Sequence, residues 1–194
     1  MLSFFMNKCM LACRCICRRM RMYLRYRIHL QSVASLSPGS QLELQALLSE
    51  AHGLSSNYSP DYHGTDEVYL VTHQSKIVAC VFLKAVDWCP VPQQNPVPSL
   101  EYSRTEADSN EMLKFCNVRA LSVSPHHRRL GIASTLIKLV QRKASADRML
   151  WIELHVDEKK DKSHEWLLFM YRQLDFVVLP RPQLKEYLLL YVNY

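Results

Sequence analysis

The sequence predicts a single α/β domain whose elements run β-α-β-β, a long loop, then β-α-β-α-β-β. Three observations carry that expectation. Segments rich in Val, Ile, Leu and Tyr alternate with stretches of helical period, as expected when sheets and helices share one core. A strand-like run feeds directly into an Arg- and Gly-containing turn at residues 124–131 and then into an amphipathic stretch. With 194 residues, 48% of them apolar, the chain can bury one real core, so one domain is the default. No internal repeat is found.

The elements follow in order. MYLRYRIHLQSVAS, from Met22 to Ser35, alternates in part and reads as a first strand. In SPGSQLELQALLSEAHG, Ser40 and Glu43 have capping-box spacing. Leu44, Leu47 and Leu48 share a face, and Gly53 stands where a helix would stop. EVYLVT and IVACVFLKAV, joined across His73 to Lys76, predict a hairpin. Residues 87–114 contain Pro90, Pro92, Pro96 and Pro98 without periodicity, a loop longer than compact domains usually carry without purpose. FCNVRALSVS is a strand, and the following helix places Ile132, Leu136, Leu139 and Val140 on one face. MLWIELHV at 149–156 is a strand, SHEWLLFMYRQL at 163–174 a helix, and FVVLP and EYLLLYV two closing strands.

The net charge of +6 suggests nucleic acid only until it is located. Residues 1–41 hold seven bases (Lys8, Arg14, Arg18, Arg19, Arg21, Arg25 and Arg27) and no acid, leaving seventeen bases against eighteen acids in the remainder. The body therefore has no net basic signature, and no nucleic-acid partner is expected. The basic leader, residues 1–21, also holds Cys9, Cys13, Cys15 and Cys17, and is expected to be unstructured ahead of a domain at 22–194. Its basic residues interrupt every apolar run, so it lacks the roughly 20 apolar residues of a membrane span and the clear apolar core of a secretory signal. A mitochondrial presequence, a palmitoylated membrane-surface anchor and a bland extension remain open, the last ranked first. Membrane contact is expected only through this leader. Seven cysteines imply no disulfide framework and point to a cytoplasmic or other reducing compartment. Cys13, Cys15 and Cys17 lack the second pair of a zinc site and lie among arginines, so no metal is expected.

The chemistry-bearing segment is SPHHRRLGIAST at 124–135, in which Arg128, Gly131 and Ala133 form R-x-x-G-x-A between strand and helix. A helix start presents N–H groups without intrahelical partners and a positive dipole end, which suits a pyrophosphate. Gly131, one of only four glycines, leaves room for that approach, Ala133 keeps the helix wall small, and Arg128 and Arg129 add charge-assisted contacts. The arginines could instead be solvated loop charge, but binding is the favoured reading for them, whereas His126 and His127 read as turn residues.

VSPHHRRLGIAS resembles the acetyl-CoA-binding motif of the GNAT superfamily, Q/R-x-x-G-x-G/A, and lacks the GK[ST] and GxGxxG of nucleotide-binding loops. The resemblance extends over roughly 22–194 and implies a mixed, mostly antiparallel central sheet flanked by helices. FMYRQLDF resembles the family's second motif, N-x-x-A-x-x-L-Y-x-K-x-G-F. Tyr171 and Phe176 match, whereas His164, Leu167, Met170, Gln173 and Asp175 depart from it.

The resemblance implies an N-acetyltransferase in which a primary amine attacks acetyl-CoA directly in a ternary complex. Acetyl-CoA would be the co-substrate, held by the N–H groups of Leu121 and Val123 and by Arg128, Arg129, Gly131, Ile132, Ala133 and Ser134. Tyr171 would be the proton donor to sulfur, since a phenol of pKa about 10 matches a thiolate of similar basicity. For the general base, Glu153, His155 and Asp157 share one strand face opposite Ile152 and Leu154, with Glu153 or His155 preferred. Five acids against Arg104 in residues 85–113 would favour a cationic acceptor if that loop borders its channel. Peptide N-termini, lysines and small amines stay open. The alternative is a non-catalytic module that keeps the fold and binds an acyl-CoA or a partner.

Overall fold

The computed structural model describes residues 25–52, 67–88, 113–157, 164–181 and 186–192. The leader, the proposed helix stop at Gly53 and most of the proline-containing loop lie outside the described residues.

The described elements follow the expected order: β1 (Arg27–Ser32), α1 (Pro38–His52), β2 (Glu67–His73), β3 (Lys76–Trp88), β4 (Leu113–Val123), α2 (Ile132–Ala146), β5 (Trp151–Asp157), α3 (His164–Arg172), β6 (Val177–Arg181) and β7 (Glu186–Val192). The seven strands form one sheet in the order β1-β2-β3-β4-β5-β7-β6. Every neighbouring pair is antiparallel except β4 with β5, the mixed and mostly antiparallel sheet that was expected. A parallel neighbour needs a crossover, and α2 supplies it.

Local details refine the sequence reading. The first strand is shorter than Met22 to Ser35, because a 3-10 turn at Val33–Ser35 closes it. α1 starts one turn before the proposed capping box: Pro38 is its first residue, and the Ser40 N–H donates to Ser37 Oγ at 3.2 Å. Glu43 is thereby released from capping, and its carboxylate accepts the Ile77 N–H at 3.1 Å, tying α1 to β3. The β2–β3 hairpin closes on Gln74 and Ser75, both with positive φ, as a two-residue turn between twisted strands demands. β3 and β4 reach Trp88 and Leu113, so the connection between them is shorter than 87–114.

The sheet separates two buried layers. Leu36, Leu44, Leu47 and Leu48 pack on Val68, Leu70, Cys80 and Phe82 on one face. On the other, α2 contributes Ile132, Leu136, Ile137, Val140 and Ala144, and α3 contributes Leu168, Met170 and Tyr171, against Val81, Val118, Ile152, Leu154 and Leu189. Leu139 is only partly buried, because Ile137 takes the place in the core. Each fully buried leucine or isoleucine contributes about 1.5–3 kcal/mol, so the two layers fix all three helices on the sheet. Gln141 Nε2 donates to the Leu174 carbonyl at 2.8 Å and locks the end of α3 to α2.

Candidate active site

The site is built where β4 and β5 part. Their parallel ladder covers only Phe115–Val118 against Trp151–Leu154. On the other side of β4, Phe82 faces Ala120 and Leu83 faces Val118, so Arg119 is a bulged extra residue. A bulge bends its strand, and here it falls where the ladder with β5 ends. The Ser124 N–H donates to the Val78 carbonyl on β3 at 2.9 Å. By the alternation of strand backbone groups, the N–H groups of Leu121 and Val123 then point away from β3, toward the gap. The Val123 carbonyl bears this out, since it accepts Arg128 Nε at 3.0 Å rather than a strand partner.

The chain leaves β4 through a short 3-10 turn at Pro125–His127 and enters α2 through two left-handed residues, Arg129 (φ 62°) and Gly131 (φ 83°). Gly131 is the N-cap, without a side chain to cap the helix. The first intrahelical bond runs from the Thr135 N–H to the Gly131 carbonyl at 3.0 Å, so the N–H groups of Ile132, Ala133 and Ser134 have no acceptor within the helix. No acidic residue stands in this first turn, and a Cβ built on Gly131 meets no atom within 4 Å. Open space, outward N–H groups and a positive dipole end fit a pyrophosphate. Of the flanking side chains, Ile132 is buried and Ala133 and Ser134 are half-buried. The Arg129 guanidinium lies 4.8 Å from the centroid of Trp166 on α3.

This turn is also held from below. Tyr26 Oη and His127 Nδ1 are 3.0 Å apart, and the His73 ring lies 5.0 Å from Tyr26 and 5.3 Å from His127. Partial burial, then the neighbouring His73 and His126, lower the His127 pKa below its usual 6.5.

Tyr171 is buried at 4% exposure and belongs to the layer that contains Ile152, Leu154 and Val156. Its ring meets Phe176 edge-on at 5.5 Å. Its backbone carbonyl accepts the N–H groups of Leu174 and Phe176 at 2.9 and 3.1 Å, closing the helix. Asp175, which stands where the resembling motif has glycine, adopts φ 65°, the left-handed conformation that glycine would supply. Glu153 and His155 occupy the opposite face of β5, with Nε2 of the imidazole 2.9 Å from Glu153 Oε1. The sequence offered these two as alternatives; the structure pairs them. Asn117, which the sequence did not single out, is the β4 partner of Glu153. Asp157 is in β5, but its side chain lies outside the described residues.

Two thiols are buried in the described core. Burial pushes Cys80 and Cys116 up to about 12, which leaves them protonated and inert at neutral pH. Among the described residues no cluster of His, Cys, Asp and Glu could hold a metal ion, and no helix is long and apolar enough to cross a membrane.

The profile of the acetyltransferase (GNAT) family matches residues 42–169. No curated protein sequence matches the chain. Among solved structures, the fold is similar to Arabidopsis thaliana NAA60 in complex with a bisubstrate analogue. That match has 15% identity and a TM-score of 0.63 over 87% of this chain and 100% of the other. The same Arabidopsis protein in complex with acetyl-CoA matches at 17% identity and a TM-score of 0.61, over 86% and 100%. Arabidopsis thaliana Naa50 in complex with the bisubstrate analogue CoA-Ac-MVNAL matches at 14% identity and a TM-score of 0.57, over 86% and 99%.

Proposed function

Because the chain belongs to the GNAT acetyltransferase family, we propose that it transfers the acetyl group of acetyl-CoA to a primary amine by direct attack within a ternary complex. The observation that carries this reading is that β4 and β5 part beyond Val118 and Leu154, directly before the turn into α2 at Gly131. The strand edge at Leu121 and Val123 borders that gap, and on β5 the pair of Glu153 and His155 lies on one face, with Tyr171 packed in the layer on the other. Similar structures in complex with acetyl-CoA and with bisubstrate analogues support it further.

In this reading the N–H groups of Ile132, Ala133 and Ser134, with Arg128 and Arg129, hold the pyrophosphate. The N–H groups of Leu121 and Val123 hold the acyl arm beside β4 and bind the oxygen that gains charge during attack. When bound, acetyl-CoA supplies the activated acyl group. His155 takes a proton from the acceptor ammonium. Its Nε2–H is directed to Glu153, so Nδ1 carries the lone pair, and Glu153 fixes the ring and stabilises the imidazolium. The C–N bond forms as the C–S bond breaks, Tyr171, on the other face, gives its proton to the departing sulfur, and the nitrogen's second proton passes to solvent, from which the phenol is restored. Opposite faces suit opposite tasks, since a base must take a proton from the amine as it approaches the acyl carbon and an acid must give one to the sulfur as it departs.

Calorimetry with acetyl-CoA on the full chain, followed by turnover of Tyr171→Phe on a screened amine, tests the proposal. Binding with strongly reduced turnover in the variant is expected. A folded chain that does not bind acetyl-CoA would overturn it, and binding with unchanged turnover would remove Tyr171 from the chemistry.

A further inference from the structure

We infer that Trp166 is a stacking platform for the purine ring of the coenzyme, with Arg129 as its partner for the nucleotide's phosphates. This inference rests on the acyl-CoA reading above and adds a subsite to it. Trp166 is the second residue after His164 in α3, and it leaves 42% of its surface exposed; Phe169, one turn further, leaves 57%, and Leu130, next to Arg129, leaves 50%. Large apolar side chains on two elements thus stand in water at the same end of the fold where the coenzyme turn lies. The fold has buried side chains from the same helix, Leu168, Met170 and Tyr171, so α3 presents one face to the core and a separate aromatic face to solvent.

The connection between the two elements is the Arg129 guanidinium, 4.8 Å from the Trp166 centroid. Arg129 makes this contact from a left-handed backbone conformation (φ 62°) that a non-glycine residue adopts at a cost. Strain retained at a surface turn is characteristic of binding positions. The connectivity of the ligand then places the base. A pyrophosphate at the start of α2 has two arms. The acyl arm must run toward the gap between β4 and β5, and the nucleoside arm must leave in the other direction, across the outer side of the turn. That side offers a cationic guanidinium for phosphate oxygens and an indole face for a purine. Stacking of a base on an aromatic side chain is strong and needs no hydrogen-bond readout. Charge complementarity decides the occupant: a purely apolar partner would leave the guanidinium without a counter-charge.

The test compares two thioesters on the full-length chain, acetyl-CoA and S-acetyl-4′-phosphopantetheine, which lacks the whole 3′-phospho-AMP unit and keeps one phosphate of the pyrophosphate. Trp166→Ala should raise the dissociation constant for acetyl-CoA about tenfold, leave that for the truncated thioester unchanged, and be rescued by Trp166→Phe. Equal weakening of both compounds would assign Trp166 to the packing of α3 and overturn the inference, as would acetyl-CoA affinity that does not change. A wild-type chain that binds neither compound overturns the acyl-CoA reading itself. Binding of both compounds with equal affinity by the wild type leaves that reading intact and overturns the purine platform alone.

Discussion

The phenol of Tyr26 and Nδ1 of His127 lie 3.0 Å apart although 101 residues separate them. The bond fastens the turn that leads to Gly131 onto the residue just before β1, the strand at the edge of the sheet. Tyr26→Phe keeps the ring contact with His73 and removes the hydroxyl. A part-buried hydrogen bond of this kind contributes about 0.5–1.5 kcal/mol. Denaturant unfolding should report a loss in that range, and calorimetry a weaker acetyl-CoA interaction, with turnover at saturation unchanged. Unaltered binding would show that the turn is held without this bond.

The same cluster makes the turn sensitive to acid. His127 faces Tyr26 and His73, with His126 adjacent, and its pKa is lowered from 6.5 by burial and by the two histidines. A depressed folded-state pKa means the unfolded chain binds more protons, so the contribution to stability is present above about pH 6.5 and is lost as pH falls through the folded value. His127→Gln should flatten the pH dependence of the melting temperature below pH 6.5 relative to wild type. An identical acid slope in the variant would assign the loss to other groups.

Gly131 separates two contributions that usually coincide. A Cβ there meets nothing within 4 Å, so alanine costs no clash, but φ 83° is strained for any L side chain. Gly131→Ala should therefore lower stability by only about 1–2 kcal/mol. Because the added methyl projects into the space assigned to the pyrophosphate, acetyl-CoA binding should weaken well beyond what the stability loss accounts for. Affinity that tracks stability alone would return Gly131 to the role of a turn residue.

The order of elements was legible because periodicity is local: Ile132, Leu136 and Val140 announce one helix face, and Ile152 and Leu154 alternate with Glu153 and His155. The turn at Arg128 to Gly131 was legible from its glycine and its place between strand and helix. Strand pairing was not, since nothing near Val118 in the sequence reveals that its ladder with Leu154 ends there or that Arg119 bulges. The cap of α1 was misplaced by one turn because Ser37 and Ser40 carry the same hydroxyl, and only the Pro38 that follows Ser37 distinguishes them. The bond between Glu153 and His155 could have been foreseen, as residues two apart on a strand share a face. The contacts of Tyr26 with His127 and of Arg129 with Trp166 could not, for both join elements distant in sequence.

The buried thiols give a check on the fold itself. With Cys80 and Cys116 pushed up to about 12 by burial, the thiolate needed for alkylation is scarce at neutral pH. Iodoacetamide treatment followed by peptide mapping should leave both unmodified in the native chain and modify both in denaturant. Native labelling of Cys116 would place β4 outside the core.

Finally, the two proton-transfer assignments differ in how their loss responds to pH. His155→Gln and Tyr171→Phe should each lower turnover, by about 10²–10⁴-fold for a well-placed acid or base, with acetyl-CoA affinity retained. Glu153→Gln should be milder, because it disturbs the ring held at 2.9 Å without removing it. For His155→Gln the deficit should shrink as pH rises toward the acceptor amine's own pKa, near about 10 for a lysine-like amine, since the amine then arrives already deprotonated. The deficit of Tyr171→Phe should persist, because sulfur still departs without a donor. Rates measured from pH 7 to 9.5 with saturating acetyl-CoA separate the two. A His155→Gln deficit independent of pH would make the imidazole a positioning group and leave ammonium deprotonation to solvent.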